Sequence, residues 1–209
     1  MAEASDSLDN PARAEEKAAA EQPNLAGMLL KDAAIVFAAL SLWAAADTWY
    51  QVTDLWLAQI VAIGDAVIVG LLLAALFHEW GHYAGAKASG AATRRVYPRS
   101  LSFFRFQFLY EENDTRQFHW MTYGGHILHW SILIALLLMV PLDSLGRIAL
   151  VSAIFGFIAF ATFIEYNIVK DTREGMDPET RLRALTPNDF RQAYVAGAIG
   201  GLFALAMLN

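Results

Sequence analysis

Five apolar stretches, each about long enough to cross a bilayer, follow a polar N-terminal segment in this chain. A membrane-spanning helix takes about 20 apolar residues. We therefore predict five transmembrane helices, over 28–49, 56–86, 122–142, 145–169 and 190–208. Residues 1–24 are polar and Ala-rich, which predicts a disordered tail, with a short helix over 11–20 as the alternative. Residues 25–209 then form one polytopic membrane domain.

Between the second and third apolar stretches, aromatic and polar residues alternate. In SLSFFRFQFLY, four alternating aromatic positions face one side, while Arg105 and Gln107 face the other. A period of two predicts a β-strand, and the preceding RRVYP is its candidate partner in a hairpin. The alternative is a loop that lies on the lipid headgroups. The predicted fold class is an all-α membrane protein of about five transmembrane helices, with a small membrane-associated β-hairpin between the second and third.

Helix-start signals divide the segment between the fourth and fifth stretches. Asp177 followed by Pro178 is typical of an N-cap and the first residue of a short helix. Thr186, Pro187 and Asp189 have the spacing of a capping box. We predict that this box begins the fifth span.

The amino-acid composition is typical of a membrane protein and excludes some kinds of catalytic and metal-binding chemistry. The chain is 56% hydrophobic and only 17% charged, whereas soluble domains average about 45–50% and 25%. It has no cysteine, so disulfides, thiolate metal ligands and cysteine nucleophiles are excluded. The net charge of −6 argues against a nucleic-acid partner.

The distribution of basic residues predicts the orientation in the membrane. If five spans alternate in direction, all of the 15 Lys and Arg residues except Arg147 lie in or beside the segments of one side. The positive-inside rule assigns that side to the cytoplasm. We predict a multi-pass protein of the cell (inner) membrane with a cytoplasmic N-terminus and an external C-terminus.

The second apolar stretch ends in the sequence HEWGH. His78 and His82 are one helical turn apart on one face, close enough to bind one metal ion. Glu79 is rotated by about 100°, so that it can reach a metal-bound water instead of the ion. Two imidazoles and a general base in this order are typical of zinc metalloenzymes. Such groups are costly inside a span, and we therefore predict a zinc site.

Two other spans deliver polar groups to the same end of the bundle. The third begins MTYGGHILHW and brings His126 and His129 there. The fourth ends FIEYNIVKD and brings Glu165, Asn167 and Asp171. Every histidine of the chain falls on this predicted cytoplasmic side, so we expect the active site near it.

The stretch FHEWGHYAGAKASG on a long membrane helix resembles the site-2 protease family of intramembrane zinc metalloproteases. The resemblance covers roughly residues 60–171 and includes the hairpin and the Gly-Gly pair at the start of the third span. It implies that His78 and His82 are zinc ligands and that Glu79 is the catalytic base. The implied substrate is a membrane-embedded protein, held in the lipid bilayer and cut in or near a transmembrane segment.

The third zinc ligand departs from the family pattern, which takes an aspartate from N-x-x-P-x-x-x-x-D-G. After Asn167, Lys170 stands in place of the proline and Gly175 in place of the aspartate. Asp171 is the first choice for the third ligand, followed by Glu165, and then by His126 or His129. Alternatively, the two histidines support a metal ligand or form hydrogen bonds with the substrate. The same two roles are open to Asn167.

Two other functions are compatible with parts of this pattern. Because the third-ligand motif is degenerate, the protein could be a pseudoprotease that binds membrane segments without cutting them. A membrane di-iron hydroxylase or desaturase also uses histidines at membrane level, but five histidines without an H-x-x-H-H box argue against it. Glu79 in an intact HEWGH motif favours the protease.

Overall fold

A computed structural model describes residues 22–96 and 104–209, and this part of the chain is almost entirely helical. Five long helices and one short helix follow in order: α1 Leu25–Thr53, α2 Trp56–Ala88, α3 Thr115–Met139, α4 Leu145–Arg173, α5 Pro178–Arg183 and α6 Pro187–Leu208. The predicted tail at 1–24 lies outside the described residues except for its last three, of which Asn24 caps α1 through the backbone N–H of Ala26.

The five long helices are each long and apolar enough to cross a membrane. Large apolar side chains on their outer faces have no protein neighbours to cover them: Leu30 is 72% exposed, Phe37 75% and Leu138 82%. In water such a surface would be unfavourable, whereas lipid tails cover it without cost. The chain is therefore a multi-pass membrane protein, and the predicted fold class is confirmed.

Side-chain caps explain where several helices begin. The predicted caps are found, because Asp177 accepts from the N–H of Thr180 and Thr186 forms a reciprocal box with Asp189. A second box, between Asp114 and Gln117, begins α3 seven residues before the predicted span 122–142. The first turns of α3 are polar and hide the start of the helix from a hydrophobicity pattern, whereas the D-x-x-Q spacing of the box marks it.

The predicted hairpin is present as a two-stranded antiparallel sheet. Strand β1, Thr93–Arg95, pairs with β2, Phe106–Phe108, and Arg94 lies opposite Gln107. The predicted alternation holds, since Phe108 is buried and Gln107 is exposed. The residues that join the strands, 97–103, lie outside the described part.

The aromatic side of the hairpin is covered by helices. Phe108 belongs to a core cluster with residues of α2, α3 and α4. Burial and the carboxylates of Glu179 and Asp177 raise the pKa of Tyr110 to about 12, so its hydroxyl stays protonated at physiological pH. The hairpin is therefore fixed against the end of the bundle that carries the HEWGH motif.

α2 is the central helix, and it packs against α1, α3 and α4, while α6 packs against α4. Glycines bring α2 and α3 into backbone contact. A Cβ on Gly81 or Gly85 would collide with the backbone of Gly124 or Trp120. These glycines therefore serve close helix packing, the use that small residues commonly have in membranes.

A polar cluster joins α1 to α4 at the end of the bundle remote from the motif. The Asp47 carboxylate is 3% exposed. It accepts from Ser144 Oγ at 2.8 Å and from Arg147 Nε at 2.7 Å. Arg147, the one basic residue predicted on that side, thus has a buried partner.

Candidate metal centre

Three helices bring four histidines and one glutamate together inside the bundle. His78 and His82 come from α2, His126 and His129 from α3, and Glu165 from α4. Because consecutive helices run in opposite directions, the C-terminal parts of α2 and α4 lie beside the N-terminal part of α3. This is the juxtaposition that the sequence predicted from the alternation of the spans.

The core of the cluster is a triad of His78, His82 and Glu165. His78 Nε2 lies 2.8 Å from Glu165 Oε1 and 3.0 Å from His82 Nε2, and His82 Nε2 lies 3.2 Å from the same carboxylate oxygen. Their side chains are only 9%, 16% and 14% exposed. Among residues 22–96 and 104–209, this is the one group whose donor atoms converge closely enough to hold a metal ion.

When Glu165 is ionised, hydrogen bonds alone cannot satisfy the triad. Three atoms in mutual contact make three pairs, and the carboxylate oxygen can only accept. If both Nε2 atoms carry protons, the two N–H groups oppose each other; if one does, two lone pairs oppose each other. A cation between the three atoms satisfies all three lone pairs at once. The triad therefore fits a bound metal ion.

The donor set and its spacing suit zinc. Ligand atoms around a tetrahedral Zn²⁺ with bonds of about 2.0–2.1 Å lie about 3.3–3.4 Å apart, close to the distances in the triad. His82 Nδ1 lies 3.0 Å from the carbonyl oxygen of Met121. Since a carbonyl only accepts, Nδ1 carries the proton and the Nε2 lone pair of the neutral ring faces the triad. Sequence reasoning had no signal for this backbone contact.

His126 and His129 lie behind the triad. His126 Nε2 is 2.9 Å from the second carboxylate oxygen of Glu165, an ion-pair distance without the alignment of a good hydrogen bond. His126 Nδ1 is 3.2 Å from His129 Nε2. The fully buried His129 ring stacks on His78, with centroids 4.9 Å apart. The two histidines thus contact triad members without joining the group of three.

Gly125 makes room for the imidazoles. A Cβ at this position would lie 2.6 Å from Cε1 of His82 and 2.9 Å from Cε1 of His78. The second glycine of the Gly-Gly pair therefore faces the triad, while the first, Gly124, meets the backbone of α2. The pair allows α3 to approach both the motif helix and the imidazoles of the triad.

Glu79 is half-buried beside the triad. Its carboxylate is close enough to His82 to interact with it electrostatically. With the residues that the structure describes, it forms no hydrogen bond and no ion pair. It is thus free to bind a water molecule.

Asp171, the preferred third ligand of the sequence analysis, is not part of the triad. It is six residues beyond Glu165, about 9 Å along the helix and rotated by about 240°. Its Oδ2 instead accepts from Arg181 Nε at 2.6 Å. α4 remains helical through Arg173, so the helix does not break to return Asp171 to the histidines. The second choice, Glu165, occupies that place.

Asn167 also points away from the cluster. It is two residues, and so about 200°, beyond Glu165. Its side-chain amide donates to the carbonyl of Phe163 in its own helix, at 3.0 Å. The Asn167 side chain thus makes no hydrogen bond to the triad residues, and its role as a substrate-binding or supporting residue stays a prediction.

No model of a protein family, no curated protein and no solved structure matches this chain. The arrangement of its own residues is therefore what bears on its function.

Asp32 anchors the motif helix from the other side. This 2% exposed carboxylate of α1 accepts from Trp80 Nε1 at 2.9 Å and from the backbone N–H of Phe104 at 3.2 Å. The Trp80 ring stacks on Phe104, with centroids 3.8 Å apart. One carboxylate thus ties α1, the HEWGH segment and the hairpin together. Sequence reasoning missed this role, although a carboxylate in an apolar span was a signal for it.

A cleft between α3 and α4 opens onto the cluster. This α3–α4 cleft has a volume of about 580 Å³, and Glu165 and His126 belong to its lining. Pockets for small molecules and peptides have volumes of about 300–1,000 Å³. The cleft is therefore large enough to admit a ligand to the triad.

Proposed function

We propose that this protein is an intramembrane zinc metalloprotease that hydrolyses peptide bonds in or near membrane-spanning segments of other proteins. The observation that carries the proposal is the convergence of His78, His82 and Glu165 within a membrane bundle, their donor atoms all within 4.8 Å of one another. Glu79, which is suited to act as the general base, directly follows His78 in the sequence. Structural zinc sites usually have four protein ligands, whereas catalytic sites have three and keep one position open.

In this proposal His78, His82 and Glu165 hold the metal, with Glu165 in the place first assigned to Asp171. Zn²⁺ bound there would polarise the substrate carbonyl and make a bound water more acidic. His126 and His129 orient the triad from behind, since one contacts the Glu165 carboxylate and the other stacks on His78. Ligands held in this way are placed more rigidly and bind metal more tightly.

Glu79 acts as general base and then as general acid. It accepts a proton from the attacking water as the new C–O bond forms. It then passes a proton to the leaving amine as the C–N bond breaks, which gives a carboxylic acid and an amine. A half-buried carboxylate without a competing hydrogen bond is suited to this exchange.

The position of the site in the bundle supports a substrate within the membrane. A peptide bond in a transmembrane helix is shielded from water, and irregular backbone at that depth is tolerated only inside protein. The α3–α4 cleft offers such a protein-lined place beside Glu165. The distribution of basic residues supports a cytoplasmic location of the triad end of the bundle in the cell membrane, and the proposed cut then lies in that half of the bilayer.

The direct test is the substitution Glu79→Gln. A glutamine is nearly isosteric but cannot accept the proton, and we expect cleavage of a reporter helix to fall by about 10²- to 10⁴-fold. Zinc content, measured by mass spectrometry on the protein purified in detergent, is expected to remain at one ion per chain. Glu112→Gln, at an exposed position, is the matched control.

The outcomes separate the alternatives. Cleavage by Glu79→Gln at the wild-type rate would rule out the role of Glu79 as base. Zinc binding without cleavage of any membrane reporter by the wild type would favour a pseudoprotease. Two iron ions per chain would favour the di-iron enzyme.

A further inference from the structure

The walls of the α3–α4 cleft differ along its length. Beside Glu165 and His126 the walls are aromatic and apolar, with Trp130 on α3 and Tyr166 and Val169 on α4. Tyr166 is 66% exposed and Trp130 41% exposed, although the cleft leads to a buried triad. Such walls suit apolar side chains of a ligand that lies along the cleft.

Two cationic side chains lie at one end of the cleft. They belong to the part of α4 that is C-terminal to its triad residue. Lys170 and Arg173 line the cleft there, together with the single carboxylate of Glu174. Arg173 donates to the hydroxyl of Tyr123 across the cleft. The side-chain ammonium of Lys170 forms no hydrogen bond or ion pair with any residue in the described ranges. With two cations and one carboxylate, this end of the cleft carries an excess of one positive charge.

The distance from the triad to these cations can be expressed in residues of an extended peptide. Lys170 and Arg173 are five and eight residues beyond Glu165, about 7.5 and 12 Å along α4. An extended chain advances about 3.3 Å per residue. The cations are therefore about two to four peptide residues away from a bond held at the triad.

We infer that the α3–α4 cleft is the substrate site, and that Lys170 and Arg173 select a peptide segment with an Asp or Glu two to four residues from the cleaved bond. The acidic residue lies on the side of that bond towards the C-terminal end of α4. The remaining residues of the segment are apolar and lie against the aromatic walls. This inference rests on the proposed protease function and adds a substrate preference to it.

A charge exchange between enzyme and substrate tests the preference. Reporter helices carry a single Asp or a single Lys at successive positions near the cleaved bond, and kcat/KM is measured for each. The wild type is expected to favour Asp over Lys by about fivefold at two to four residues from the bond, since exposed charge pairs contribute modestly. Lys170→Glu is expected to reverse this preference. Lys87→Glu, on α2 and outside the cleft lining, is the matched control and keeps it.

A binding measurement separates the inference from catalysis. In the Glu79→Gln background, a photoreactive phenylalanine at Tyr166 is expected to crosslink the Asp reporter about fivefold more than the Lys reporter. The same probe at the outward-facing Phe203 of α6, which is 60% exposed, is the control for random contact in the detergent micelle. Crosslinking to phospholipid instead of the reporter would identify the anion as a lipid phosphate and overturn the inference.

The two measurements distinguish a failure of the substrate preference from a failure of the protease function. Cleavage by the wild type without any charge preference overturns the inference and leaves the protease function standing. Charge-dependent crosslinking without cleavage overturns the protease function and leaves the cleft as a site for acidic membrane segments. Equal crosslinking at Tyr166 and Phe203 overturns the assignment of the cleft.

Discussion

Among single residues, Glu165 holds the candidate metal centre together, because both of its oxygens face imidazoles. Oε1 contacts His78 and His82, and Oε2 approaches His126. A carboxylate and four histidines inside a membrane bundle are costly unless they are paired or coordinate a cation. The cluster therefore lowers the stability of the bundle unless ion pairs or a bound cation offset this cost.

Substitution of the two rival carboxylates distinguishes them directly. We expect Glu165→Ala to abolish stoichiometric zinc binding, because it removes one of only three ligands. Asp171→Ala is expected to keep the zinc, since Asp171 contacts Arg181 and not the histidines. The measurement is zinc per chain after dialysis, with thermal unfolding to show that both variants are folded. A zinc-free Asp171→Ala with an intact fold would restore Asp171 as the ligand.

The motif residues could be predicted from the sequence, but the third ligand could not be ranked. His78, Glu79 and His82 are recognised by their spacing on one helix, which is a local property. The choice between Glu165 and Asp171 depends on how far α4 is shifted along α2 and on its rotation about its own axis. That register is set by tertiary contacts, such as Gly70 of α2 against the backbone of Leu150, which a hydrophobicity pattern does not contain.

Among pairs of helices, the contact between α2 and α3 is the closest to the proposed chemistry. Gly81 and Gly85 let the backbones meet directly, and Gly125 then faces the imidazoles. In lipid, packing of this kind replaces the hydrophobic effect as a force between helices. The position of the proposed metal ligands therefore depends on the absence of side chains along this contact.

Two glycines of the same helix test this dependence. In Gly85→Ala, the new Cβ would collide with the backbone of Trp120 and come within 3.0 Å of Gly124, and we expect a loss of about 1–3 kcal/mol in stability. Gly64→Ala has nothing within 4 Å of its Cβ and is expected to be neutral or to stabilise by up to about 1 kcal/mol. Thermal unfolding in detergent and zinc content are the measurements. Equal stability of the two variants would show that α2 and α3 are not in tight contact.

For the molecule as a whole, the up-and-down order of the helices decides which groups meet. Odd-numbered spans run one way and even-numbered spans the other, so the triad forms at one end and the Asp47–Arg147 cluster at the other. The sequence predicted this order from five apolar stretches and predicted the hairpin from an aromatic alternation. The first span, however, carries Lys31 and Asp32, two charged residues that a purely apolar pattern does not account for. The bond from Trp80 to Asp32 explains how that span accommodates a carboxylate.

The orientation of the bundle can be measured without preparatory mutagenesis, because the chain has no cysteine. We expect Asn209→Cys to react with a membrane-impermeant maleimide in intact cells, whereas Arg94→Cys reacts only after permeabilisation. The reason is that the sequence predicts 14 of the 15 basic residues on the side of Arg94, as the positive-inside rule requires of a cytoplasmic face. Labelling of Arg94→Cys in intact cells would invert the assignment.

The length of α2 links the centre to the thickness of the membrane. Residues 56–77, which precede His78 directly and carry only Asp65 as a charge, extend about 33 Å as a helix, while the hydrocarbon core of a bilayer is about 30 Å thick. Since Trp56 suits the headgroup level on the opposite side, the first imidazole lies near the boundary of this core. Hydrophobic mismatch would then shift the triad: a thicker bilayer submerges it further from water, and a thinner one raises it towards the headgroups. The acyl-chain length of the lipids would in this way change the hydration of the candidate metal centre without any change in the protein.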